Sequence, residues 1–208
     1  MEAQSRLFVP VRVDSDARED LVRLWDVRDL PALIWFSPDG GVLARAVEIP
    51  RDGAVVVEHM KKAIEWMTRV QKLERGVMKE PDNVKRLKSL AEAYYSIQLW
   101  NKSADMFDRL IAKGQPEQVE PAREFRVYVD LMRGKFLDGL AGAEAFEKDY
   151  PASQDLAKVA YWRGLLLYRL GRLPEAVAVW EDLLKRFPDD AQAKLAKEAV
   201  QRAQKKMK

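Results

Sequence analysis

The sequence predicts an α/β half-domain over residues 1–78, followed by an all-α array of helical repeats over residues 79–208. Three observations carry this. Residues 6–75 mix short apolar runs that suit strands with amphipathic stretches, whereas residues 82–208 show only the helical period. Pro116, Pro151 and Pro188 recur at nearly constant spacing through the second part, as the closing residues of a repeat would. The 208 residues are 48% hydrophobic and 33% charged, enough apolar material for two small cores. The join is ERGVMKEPDN (74–83), where Gly76 offers a helix C-cap and Pro81-Asp82-Asn83 a new helix start.

In the first part, LFVPVRV (7–13) alternates, with Leu7, Val9, Val11 and Val13 on one face and Phe8 and Pro10 on the other, so it is expected to be a strand. Pro10 removes one ladder donor and confines that strand to an edge. Asp14-Ser15-Asp16 offers N-caps for a short helix, AREDLVRLWDV, with Leu21, Leu24 and Trp25 inward. ALIWF (32–36) is a continuous apolar strand. Pro38-Asp39-Gly40-Gly41 supplies turn residues, and VLARAVEI (42–49) returns as the second arm of a hairpin. DGAVVVEHMKKAIEWMTRVQKL (52–73) is helical, with Val56, Val57, Met60, Ile64, Met67 and Val70 sharing a face.

Taken in order, FVPVRVDSD, a short helix, VRDLPAL and FSPDGGVL resemble the thioredoxin-like fold from its third strand onward, over residues 6–70. The resemblance puts Pro31 where that family keeps its cis-proline, beside the redox cysteines, with backbone exposed to an extended substrate. This chain departs from the family in having no cysteine. The family's Trp-Cys-x-x-Cys would fall upstream of Met1, because nothing in MEAQS can hold it, and Met1 to Arg6 would match the end of the helix that carries it. A strand between those at 7–13 and 32–36 is then missing, leaving unpaired backbone at an apolar edge, which proteins usually cover. Three arrangements stay open. The sequence starts too late, the edge at 7–13 pairs across a dimer or with a partner, or the two strands pair directly.

The second part repeats. AYWRGLLLYRLGRLPEAVAVWEDLLKRFPDD (160–190) carries Gly164 and Ala176 where two helices cross closely, Tyr168 and Trp180 beside them, Gly171 at the turn and Pro188 at the stop. LKSLAEAYYSIQLWNKSADMFDRLIAKGQP (87–116) repeats the pattern through Ala91, Tyr94, Trp100, Ser103, Phe107 and Leu110. The middle copy is degenerate and keeps Phe136, Gly139, Ala143 and Phe146. The final helix, 191–207, reads as a solubilising cap. These spacings resemble the tetratricopeptide (TPR) repeat over residues 82–208.

The TPR resemblance implies a protein or peptide ligand on the concave face, lined by the first helix of each repeat. Carried over by position, that lining is Lys85, Lys88, Glu92 and Tyr95, then Glu124, Tyr128 and Met132, then Lys158, Tyr161, Leu165, Tyr168 and Arg169. The competing reading is an ordinary solvated face. Glu92, Tyr128 and Leu165 stand where the carboxylate-clamp version keeps Asn, which argues against a chaperone C-terminal carboxylate as ligand.

No catalytic, cofactor or metal residues are expected. Without cysteine there is no thiolate site or thiol redox chemistry within these residues. His59 is the single histidine and has no companions at ligand spacing. Gly40-Gly41 reads as a hairpin turn, not a phosphate loop. The six tryptophans, including Trp25, Trp35 and Trp66, fall on expected buried faces. With 36 basic and 33 acidic residues mixed along the chain, no nucleic-acid partner is expected. No run is long and apolar enough for a membrane span, and no leader precedes the first strand, so the chain as written reads as cytoplasmic. An upstream start would open the periplasm.

The combination resembles thioredoxin-like/TPR fusions seen in bacterial redox proteins and co-chaperones. It implies a non-redox protein-interaction module first. The alternative is the C-terminal part of a thiol-disulfide oxidoreductase whose Cys pair lies upstream of Met1. A third reading is a holdase that takes extended chains at 7–13 and Leu30-Pro31 by strand addition.

Overall fold

The computed structural model describes residues 6–47 and 53–207. Residues 48–49 of the expected second hairpin arm, Asp52 at the expected helix start, and MEAQS lie outside them. The chain divides into two compact units, Met1–Gly76 with Ser96–Leu99, and Val77–Tyr95 with Trp100–Lys208.

The first unit holds α1 (Glu19–Leu24), β1 (Ala32–Phe36), β2 (Val42–Val47) and most of α2 (Ala54–Lys79). β1 and β2 form the expected antiparallel hairpin, with Ala32 opposite Val47 and Trp35 opposite Ala44, and an irregularity between Trp35 and Phe36. Gly40 closes the turn at φ +84°, a conformation that costs glycine little. The Ser37 N–H donates to the Gly41 carbonyl at 2.7 Å, and the Val42 N–H to the Ile97 carbonyl at 2.8 Å. Trp35 is buried and stacks on His59 of α2, with ring centroids 5.6 Å apart. Trp25, just after α1, meets Phe36 at 4.8 Å. The Arg45 guanidinium ties α1's end to β2 by donating to the carbonyls of Trp25 and Asp26. The Leu30–Pro31 bond is cis.

Three expectations for this unit are corrected. Residues 7–13 are not a strand. They lack regular pairing, and Leu7, Val9, Val11 and Val13 are exposed while Phe8 is half-buried. Strand propensity is fitness for a half-buried pleated surface, and among the described residues the sheet offers only two strands. Asp14 does cap a turn, its Oδ1 accepting the N–H of Asp16 and Ala17, but α1 starts later, and Leu24 points to solvent. Gly76 does not end a helix, because α2 runs through it to Lys79. A glycine inside a helix costs only about 1 kcal/mol, which tertiary context can override.

The second unit is an array of antiparallel helices: α3 (Val84–Ser96), α4 (Trp100–Lys113), α5 (Pro116–Met132), α6 (Phe136–Asp149), α7 (Leu156–Arg169), α8 (Leu173–Arg186) and α9 (Ala191–Met207). Asn83 caps α3, its Oδ1 accepting the Arg86 N–H at 3.2 Å, as Pro-Asp-Asn foretold. Each second helix sends one aromatic into the core. Phe107, Phe146 and Trp180 are all essentially inaccessible, and burying such a ring contributes roughly 1.5–3 kcal/mol. Ser103 replaces a small apolar residue and is also fully buried, its hydroxyl donating to the Ala91 carbonyl at 3.0 Å. Trp180 lies directly on Gly164, where a Cβ would stand 2.1 Å from its Nε1. That nitrogen donates to the Tyr161 carbonyl at 3.1 Å. Ala193, Ala196, Ala199 and Ala203 form the buried stripe of α9.

Candidate functional site

One aromatic strip joins the first helices of the repeats, α3, α5 and α7, to Trp100 at the start of α4. The Tyr95 ring meets Phe125 at 5.1 Å, Trp100 at 5.6 Å and Tyr128 at 5.6 Å. Tyr128 then meets Trp162 of α7 at 5.0 Å. The tilted and edge-on geometries are those that the ring quadrupole favours. Burial pushes the Tyr95 hydroxyl up to about 12, with Tyr128 and Glu124 adding to the shift, and burial also raises Tyr128.

Charge runs beside the strip. Lys158 reaches back from α7 to Glu124 of α5 at 3.1 Å, holds Asp155 at 2.7 Å, and sits over the Trp162 ring at 5.9 Å. The Glu124 side chain is only 4% exposed. Its burial raises the carboxyl above the usual range, while the Lys158 ammonium pulls it partly back. On α3, Lys88 and Glu92 form an exposed pair at 3.8 Å.

Among the expected lining residues, Tyr95 and Tyr128 are thus brought together. Tyr161 and Tyr168 are not part of that cluster. Both rings adjoin Trp180, at 6.4 and 6.3 Å, and the Lys206 ammonium of α9 stands 5.0 Å over Tyr168. Leu165 packs half-buried against the core, whereas Lys88, Met132 and Arg169 are exposed. Glu124 faces Lys158 rather than open solvent, so it is an internal ion pair and not a free lining group.

Reading by repeat position missed three features. Trp100 belongs to the strip and is half-buried, whereas Trp162, which meets Tyr128, is buried as a core tryptophan should be. Asp130 is buried between Arg126 and Arg133, and Arg126 also holds Asp108 at 2.7 Å. Glu147 pairs with Arg163 at 3.1 Å, joining α6 to α7. The Arg126/Asp130 spacing of four was the available signal for the second. Among the described residues, no three His, Asp or Glu side chains converge as metal ligands, and no helix is long and apolar enough to cross a membrane.

Comparison with known proteins agrees with this architecture. Residues 157–190, the α7/α8 repeat, match the tetratricopeptide repeat family model. The structure resembles a MamA crystal structure, with a TM-score of 0.51 at 14% identity over 77% of this chain and 96% of that one. It also resembles MamA in a form described as the RS-1 ArsTM double mutant, with a TM-score of 0.53 at 14% identity over 73% and 90%. No curated protein matches the chain. The chain therefore carries TPR repeats in a TPR-type helical array.

Proposed function

We propose that the chain is a non-redox protein-interaction scaffold, of the co-chaperone type, whose array holds a protein or peptide segment along the first helices. The observation that carries this reading is the strip Tyr95–Trp100–Tyr128–Trp162, which runs across three successive repeats beside Lys88, Glu92 and Lys158. The half-exposed rings of Tyr95, Trp100 and Tyr128 offer apolar contact at low entropy cost, while Trp162 is buried, and flanking charges of both signs give register and selectivity. In this reading the first unit is a thioredoxin-like half-domain without redox chemistry, and the chain works in the cytoplasm.

The test is selection of peptides from a displayed random library on the full chain, followed by fluorescence titration of the isolated binders. Lys88→Ala and Arg169→Ala are exposed changes that should leave the fold intact and weaken binding roughly three- to tenfold. Leu137→Ala and Asp182→Ala, on second helices, should not alter it. Equal effects from both pairs would remove the first-helix face as the site.

The element order of the first unit, α1 then the β1–β2 hairpin then α2, favours one second reading. It is the order that follows the third strand in a thioredoxin-like domain, a strand that residues 7–13 do not form here, and in this reading the chain would be the C-terminal part of a thiol-disulfide oxidoreductase, with the Cys pair upstream and a periplasmic location possible for the parent. Intact mass of the protein from its own source decides this. A longer species with two nearby cysteines and insulin-reducing activity is required, and a 23.9 kDa species would rule it out.

A further inference from the structure

Residues 7–13 are the least satisfied part of the described chain. Val9 is 88% and Val11 78% exposed, and Leu7 and Val13 are exposed as well. The backbone of 7–13 makes no hydrogen bond among the described residues. In an extended strand, alternate residues share both a side-chain face and a hydrogen-bonding edge. Leu7, Val9, Val11 and Val13 therefore present one complete edge of donors and acceptors. The opposite edge, Phe8, Pro10 and Arg12, lacks the donor that Pro10 cannot supply. The segment can accept one neighbouring strand on its good edge, and Pro10 discourages a second.

We propose that this neighbour is the same segment of a second copy, paired antiparallel about a two-fold axis at Pro10. That register places Pro10 against the partner's Pro10, in a wide pair where neither nitrogen needs to donate. Val9 then faces the partner's Val11, and Leu7 the partner's Val13. The charges at the ends also match, because Arg6 falls opposite the partner's Asp14. The Oδ1 atom of Asp14 accepts two local N–H groups, and Oδ2 carries no hydrogen bond among the described residues. Residues 6–8 bend in the single chain and straighten on pairing. Like charges meet if the strands pair in parallel, with Arg6 on the partner's Arg6 and Asp14 on the partner's Asp14, so the antiparallel pairing is selected. This inference stands apart from the ligand reading of the repeat array.

Sedimentation equilibrium of the full chain over a wide concentration range tests it. A reversible monomer–dimer equilibrium is expected. Val11→Pro removes a donor from the pairing edge and should abolish the dimer, whereas Arg12→Pro removes one from the idle edge and should retain it. Arg6→Asp and Asp14→Arg should each weaken self-association about tenfold, since like charges then face each other at both ends. An equimolar mixture of the two should dimerise as well as the unaltered chain, because every end pair is again opposite in sign. A monomer at all concentrations, equal behaviour of the two proline variants, or no recovery in the mixture would overturn the proposal. Circular dichroism of each variant separates loss of pairing from loss of folding.

Discussion

Gly164 shows how much one methyl group matters in this array. A Cβ there would meet the Trp180 indole at 2.1 Å, and the ring is held in place by its hydrogen bond to the Tyr161 carbonyl. Gly164→Ala should therefore destabilise the protein by about 2–3 kcal/mol. Gly142 is the contrast: a Cβ would sit 3.5 Å from Val127 Cγ2, ordinary contact. Gly142→Ala should be neutral or stabilising by up to about 1 kcal/mol, through helix propensity. Chemical denaturation of both variants checks the pair.

Glu124 gives a pH prediction. Its folded-state pKa is raised, chiefly by burial, with Lys158 opposing. A raised carboxyl binds its proton more tightly when folded, so its contribution is fully present below the unfolded value and is lost as pH rises through the folded one. Glu124→Gln keeps a hydrogen-bonding group without the buried charge. It should melt above the unaltered protein near pH 7 and together with it at about pH 4. Melting curves at the two pH values read this directly.

At the scale of elements, local pattern was legible wherever the pattern itself found a partner. The hairpin 32–36/42–47 followed from a continuous apolar run, Pro-Asp-Gly-Gly and a second run, and Trp35 is buried as that predicts. The repeat helices followed from small residues at crossings and prolines at ends. Residues 7–13 carry an equally clear alternation, yet they stay unpaired, because alternation fixes a face and not a neighbour. Since Val9 makes no buried contact in the single chain, Val9→Lys should change unfolding of the monomer by less than about 0.5 kcal/mol. Helix α9 should respond in the opposite way. Ala196 is fully buried in its small-residue stripe, and Ala196→Leu should cost about 1–3 kcal/mol in the same denaturation assay.

The candidate site was legible only in part, for a similar reason. Position within a repeat correctly put Tyr95 and Tyr128 on neighbouring first helices. It gave no means of seeing that Trp100 and Trp162 complete their strip, or that Tyr161 and Tyr168 adjoin Trp180, since those outcomes depend on which way each ring leans between helices. The Glu124–Lys158 pair was hidden likewise, as two residues far apart in sequence that meet only once α5 and α7 lie side by side.

For the molecule as a whole, the proposed role places a protein partner on the first-helix face of the array. The most direct measurement is site-specific photo-crosslinking in an extract of the protein's own source. A benzophenone amino acid would replace Lys88 or Met132 on first helices, and Leu137 or Asp182 on second helices, all of them exposed. One discrete protein adduct is expected from the first pair of positions and none from the second. Adducts shared equally by both pairs, or absent from Lys88 and Met132, would contradict it.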